Sequence, residues 1–241
     1  MSKTALVIVA FLGMAPAASG QRPEPANPVP VIVVTGESQV RVAPDEATVR
    51  LGITRQSATA QAAQDQANTV ANEILAAVTK LGIAAADIQT SRLTLSPVYA
   101  PRSPEASQAP RIVAYQASNI VSVRVTDLAK VGPVIDTGLK SGANEVQGVQ
   151  FGLRDDTAAR QQALKQAVSE ARKKAETIAA AANVTLGIPL EISEQGISLM
   201  RSEFNTGVMM ARAAADMAPT PVSPGQLEIH ANVTIRYRIG N

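Results

Sequence analysis

Between Leu227 and Ile239 every second residue is apolar: Leu227, Ile229, Ala231, Val233, Ile235, Tyr237 and Ile239 alternate with Glu228, His230, Asn232, Thr234, Arg236 and Arg238. A period of two over that length describes an extended strand with one face on a core and the other in water. Such a strand cannot stand alone, because an isolated ribbon does not bury enough surface to persist. The chain must therefore supply further strands and something to cover their dry face.

It does. Val31 to Val34 runs through Gly36 to Val40 and Val42, and Ala47, Val49, Leu51 and Ile53 alternate with Thr48, Arg50, Gly52 and Thr54. Pro44-Asp45-Glu46 lies between them and predicts a turn, so the two read as a first hairpin. Ser57 to Leu81 carries Ala60, Ala63, Ala67, Val70, Ile74, Val78 and Leu81 at helical spacing, with Ser57 as the expected N-cap and Gly82 as the terminator. Ile88 to Tyr99 and Arg111 to Thr126 are strands around the proline-rich stretch 97–110, which predicts a long hairpin with a loop at 101–110. In Ile88 to Leu95 neither face is cleanly apolar.

Gly132-Pro133 opens a short helix ending at Gly142, and Val146 to Leu153 is a strand. Asp155-Asp156 predicts a helix start, and the helix runs toward Asn183 with Leu164, Val168, Ala171, Ala175, Ile178 and Ala182 as its apolar stripe. Leu186 to Ile197 is a further strand, and 199–225 reads as a loop. Hairpins interspersed with helices give the α+β class: a mainly antiparallel sheet with two long helices and one short helix packed on it. A strand–helix–strand echo between residues 45–100 and 145–198 suggests two half-domains.

Residues 1–20 read as a signal peptide. Lys3 is followed by a short apolar run from Ala5 to Met14 and then by small residues up to Gly20. The run is too short for a stable membrane anchor, so no transmembrane span is expected in the mature chain. Residues 21–30 (QRPEPANPVP) hold four prolines and form an extended tether to a domain over 31–241. The sequence has no cysteine, which removes thiol chemistry, a lipid-anchor cysteine and disulfides, so the exported domain must rest on its core. That core is aliphatic, with aromatics at only 2%. Small side chains bury little area each, which points to added stability from subunit contacts.

Thr35-Gly36-Glu37, Pro44-Asp45-Glu46-Ala47, Leu81-Gly82-Ile83, Asp87-Ile88-Gln89-Thr90, Leu95-Ser96-Pro97 with Tyr99, Tyr115-Gln116-Ala117-Ser118-Asn119, Asp127-Leu128, Gly142-Ala143-Asn144, Ala159-Arg160, Ala163-Leu164 and Ala171-Arg172-Lys173-Lys174-Ala175 follow one another at characteristic spacing. In order and distance they resemble the SIMPL-domain family of bacterial exported proteins, over roughly residues 31–239. The resemblance implies a periplasmic or envelope protein, an α+β fold, self-association into homo-oligomers and a link to tolerance of stress, oxidative stress included. It brings no catalytic residues.

The residues themselves supply little chemistry. His230 is the single histidine and sits on the polar face of its strand beside Glu228 and Asn232. A base or metal-ligand role competes there with that of an ordinary exposed strand residue, and the lack of a second histidine favours the latter. Asp155-Asp156 and Asp45-Glu46 are carboxylate neighbours better explained as a helix cap and a turn. Arg172-Lys173-Lys174, with Arg160 and Lys165, forms a basic run. Removing Lys3 with residues 1–20 leaves 21 bases against 20 acids, and the mature chain has five aromatics (Tyr99, Tyr115, Phe151, Phe204 and Tyr237), a poor endowment for nucleic acid. A solvated helix face accounts for the run. No phosphate-cradling glycine motif occurs.

Met200, Met209, Met210 and Met217 form a loose cluster, readable as a thioether copper site, as an adaptable contact surface or as chance, with the last two favoured. The helical spacing from Val208 to Met217 permits an amphipathic segment that packs on a partner, making Val208, Met209, Met210 and Met217 candidate self-association residues, with an exposed β-edge as the other candidate contact. The expectation is a non-enzymatic periplasmic protein without cofactor or metal, acting through copies of itself or an envelope partner. The rivals are an enzyme using His230 or a carboxylate, and a ligand- or metal-binding module.

Overall fold

The computed structural model describes residues 29–101, 111–200 and 220–240. Seven strands and three α-helices follow in the order β1 (Val31–Val42), β2 (Glu46–Ser57), α1 (Ala60–Lys80), β3 (Ile88–Tyr99), β4 (Ile112–Val125), α2 (Val131–Lys140), β5 (Glu145–Gly152), α3 (Thr157–Ala181), β6 (Thr185–Met200) and β7 (Leu227–Gly240). The architecture is α+β, with every neighbouring strand pair antiparallel. The strands form two sheets, β1-β7-β6 and β3-β4-β2-β5.

Each sheet has its own helical cover. In the four-stranded sheet the dry face of β2 and β4 (Val49, Leu51, Ile53, Val121, Val123, Val125) packs with Ala63, Ala67, Ile74 and Val78 of α1 and with Val131, Val134 and Ile135 of α2. In the three-stranded sheet, Ile32, Val34, Val40, Ile229, Val233, Ile235 and Tyr237 pack beneath α3. Leu153 and Leu199 touch both clusters and join them.

The turn at Pro44-Asp45-Glu46 does not close a hairpin. β1 pairs along its whole length with β7, while β2 pairs with β4 and β5 in the other sheet. The turn is a corner between sheets, held because Asp45 N–H donates to Gly152 O at 3.1 Å and the Asp45 carboxylate accepts from Arg154 N–H at 2.8 Å. Local sequence announces the change of direction but carries no information about a partner near the other end of the chain. For the same reason the strand–helix–strand echo is not a repeat: β2, α1 and β3 serve one sheet, whereas β5 and β6 belong to different ones.

The α3 stripe also differs from the expected one. Its buried face is Ala163, Ala167, Ala171, Ala175 and Ala179, a strict four-residue spacing, while Val168 and Ile178 are exposed. The cause lies beneath it. A Cβ on Gly36 would stand 2.0 Å from the Ala167 carbonyl oxygen, so the helix lies directly on β1 and only alanine fits between. Helix α1 begins later than expected. Ser57 still belongs to β2, and Thr59 Oγ1 accepts from Ala62 N–H at 3.2 Å as the N-cap. Asn183, at φ 51°, does end the region after α3 in the left-handed conformation. β6 continues through Met200, so residues 199 and 200, expected in a loop, belong to the strand. The expected signal peptide at 1–20, residues 21–28 of the expected tether, 102–110 of the expected first loop and 201–219 of the second lie outside the described residues.

Candidate functional site

The motifs that make the sequence distinctive are engaged in holding the scaffold together. Thr35 O accepts from Lys174 Nζ at 3.0 Å, Glu37 N–H donates to the Glu170 carboxylate, and Ser38 Oγ donates to Ala163 O at 2.7 Å. With Gly36 these residues bind α3 along β1. Lys174 and Glu170 also pair with each other at 2.9 Å, one helical turn apart. Lys174 and the Glu37 N–H together hold the Glu170 carboxyl below the ordinary range.

Asn144 does similar work in the other sheet. Its Oδ1 accepts from Thr54 N–H at 2.8 Å and its Nδ2 donates to Thr54 O at 3.2 Å, so a side chain extends the ladder where β5 has not yet begun. Asp87 binds Arg124, and Asp127 accepts from Ala129 N–H at 3.2 Å to cap a short 3-10 turn. Lys130 Nζ donates to Leu81 O at 3.1 Å at the C-terminal end of α1.

The remaining carboxylates and bases fall into the same pattern. Asp155 Oδ1 accepts from Thr157 N–H at 2.9 Å, and Asp156 pairs with Arg160 at 2.7 Å. Asp155 is drawn below the ordinary range by the Thr157 hydrogen bonds, Asp156 by the Arg160 guanidinium. Within the basic run, Arg172 pairs with Glu176 at 2.8 Å and Lys174 with Glu170. The helix face thus carries its own counter-charges and is an ordinary solvated surface.

His230 lies on the outer face of the three-stranded sheet, opposite Gln39 of β1 and Ser198 of β6. Its Nε2 is 3.6 Å from Glu228 Oε2, but Glu228 is bound to Arg41 at 3.0 Å, which keeps its carboxyl below the ordinary range. His230 Nε2 and Asn232 Oδ1 are shielded from solvent without a hydrogen-bond partner, as is Asn119 Oδ1. The strip is polar and half-buried. Glu228, the acid beside His230, already faces a guanidinium, which leaves it little basicity for proton transfer.

The surface that sequence reasoning missed is apolar. Leu93 and Leu95 of β3 are 56% and 45% exposed, on a strand at the edge of its sheet, with Tyr99, Ile112 and Val113 exposed toward the tip of the same hairpin. The mixed faces of β3 were the available signal: a strand with no dry side has no layer over it. Met200 ends β6, whereas Val208, Met209, Met210 and Met217 lie outside the described residues.

The SIMPL family, described as a protein of unknown function (DUF541), matches residues 32–237. The chain belongs to the SIMPL family. This SIMPL chain is 34% identical over 216 residues to the 26 kDa periplasmic immunogenic protein of Brucella melitensis, covering 86% of this chain and 84% of that protein. It is 26% identical over 230 residues to the uncharacterized protein YggE of Edwardsiella ictaluri, covering 95% of each. With YggE of Escherichia coli K12 the identity is 25% over 214 residues, covering 89% and 82%. Among the described residues of this SIMPL protein, no helix is long and apolar enough to cross a membrane.

Proposed function

We propose that this SIMPL protein is exported to the periplasm, has no enzymatic role, and works through protein–protein contacts, assembling with copies of itself. The observation that carries the reading is how the shared motifs are used. Thr35-Gly36-Glu37, Asp45, Asp87 and Asn144 all bond backbone or side chains of the scaffold. Residues spent on such joints hold a shape, and a held shape serves recognition. The signal-like residues 1–20 and a relative named as periplasmic support the compartment. The exposed leucines of β3 support contact with another protein. A contribution to stress tolerance is the cellular output this reading assigns.

Size-exclusion chromatography with light scattering on residues 21–241 tests it. The expected mass is a multiple of the single chain. A single-chain mass at micromolar concentration and moderate salt sinks self-assembly. A rise in melting temperature with copper or a small ligand would instead favour a binding module.

A further inference from the structure

We infer that β3 is the self-association edge, and that two copies pair antiparallel about a two-fold axis centred on Thr94, joining their four-stranded sheets into one. The inference rests on the self-assembly reading above and names its surface.

The direction of the backbone groups follows from the ladder. The Asn144 side chain bonds both N–H and C=O of Thr54, so Thr54 faces away from β4. Thr54 is opposite Ser118, and Ser118 is opposite Thr94. In an antiparallel sheet these orientations alternate at each step. Thr94 therefore points its backbone groups at β4, and Leu93 and Leu95 point theirs outward. Pro97 confirms the phase: it has no N–H to give, and it falls on an outward position.

The other edges are less suited. On β1 the outward groups of Thr35 and Glu37 are already bonded by Lys174 and Glu170 of α3. β6 exposes Ile188, Leu190 and Ile192, but three register shifts cut its ladder into short runs, and pairing the Glu191–Glu194 run about its own centre would set Glu191 against Glu194 of the copy. β5 has eight residues and is broken where Gly148 adopts a φ of 139°. β3 keeps an unbroken register from Arg92 to Val98.

The β3 sequence complements itself about Thr94. Leu93 falls opposite Leu95 of the copy, and Leu95 opposite its Leu93, each pair exchanging two main-chain hydrogen bonds. All four leucines share one face and leave water together. Arg92, the only charged residue of β3, falls opposite Ser96 rather than opposite another arginine. Pro97 then limits the ladder, which closes a dimer and discourages growth along the edge.

The lack of cysteine makes the test clean. Thr94→Cys would place two thiols at a non-hydrogen-bonded pair with Cα atoms about 4.5 Å apart, within disulfide reach. Ser96→Cys would leave its two copies about 14 Å apart. Mild oxidation should cross-link T94C and not S96C. Leu95→Pro, which removes an outward donor and leaves the β4 ladder whole, should weaken association at least about tenfold with the thermal melt retained.

An assembly that persists in L95P, with T94C not cross-linked, overturns the β3 interface but leaves self-assembly standing. Dissociation by Met209→Asp with Met210→Asp, and not by L95P, overturns it in favour of the segment containing those residues. A monomeric wild type overturns both.

Discussion

Gly36 lies against Ala171 so closely that a Cβ on Gly36 would stand 2.7 Å from the alanine's own, and 2.0 Å from the Ala167 carbonyl oxygen. The glycine of the Thr-Gly-Glu motif is thus a seat for a helix. Its neighbours fasten the seat through Lys174, Glu170 and Ala163.

Replacing Gly36 by Ala should therefore be costly. Backbone, not a flexible side-chain end, occupies the space, so α3 must lift from β1. We expect a loss of about 3 kcal/mol, toward the upper end of overpacking penalties. Urea denaturation of the wild type and G36A gives the difference. A loss well under about 1 kcal/mol would mean that α3 shifts freely on its sheet.

Asn144→Ala should remove both hydrogen bonds to Thr54 and leave the strand's outward groups to water. Thr54 is near the surface, so the loss is modest, about 1–2 kcal/mol. Asn144→Asp keeps an acceptor for Thr54 N–H but sets a carboxylate oxygen against Thr54 O where the amide donated, so it should melt well below the wild type by circular dichroism. If N144D melts with the wild type, the two-bond clamp is not what Asn144 contributes.

These joints show which part of the fold is written locally. The alternation of β7, the long β3–β4 hairpin and the left-handed stop at Asn183 are local, because they depend on period and on backbone preference. The partner of β1 is not local: Pro44-Asp45-Glu46 turns the chain equally well into a hairpin or across to another sheet. The α3 stripe misled because Val168 and Ile178 are the larger apolar residues, while the constraint that favours alanine sits on β1. The edge at Leu93 and Leu95 was visible only as a strand without a clean face. Its outward phase needed Asn144 in place.

Stability should fall in acid. Glu170, Glu228, Asp155 and Asp156 all have carboxyls held below their ordinary values in the folded protein. A group of that kind contributes fully above its unfolded pKa, about 4, and loses the contribution as pH falls through the lower folded value. Unfolding midpoints should be flat from neutral pH to about 5 and then decline. Glu170→Gln keeps an acceptor for Glu37 N–H but has no charge to lose, so its decline should be shallower. A parallel decline in both proteins would place the acid sensitivity elsewhere.

Export predicts a shortened chain. Protein recovered from the envelope fraction should start between Ala18 and Arg22 by mass spectrometry, since the small residues up to Gly20 suit a signal peptidase. Recovery there with Met1 retained would contradict cleavage.

His230→Ala separates the contact reading from the enzyme reading. As a catalytic base, His230 would need an orienting acid and a reacting group. Glu228 is 3.6 Å away but committed to Arg41 at 3.0 Å, and the ring's Nε2 meets no hydrogen-bond partner. Removing an unsatisfied nitrogen leaves no donor or acceptor behind, so stability should change by less than about 1 kcal/mol. The assembly should be unchanged, because His230 lies on the three-stranded sheet and the β3 edge on the other. A strain carrying H230A should show the parent's stress phenotype, whereas a strain carrying L95P should not. Loss of the phenotype in H230A, with the melt and the assembly intact, would make His230 a chemical group and return the protein to the enzymes.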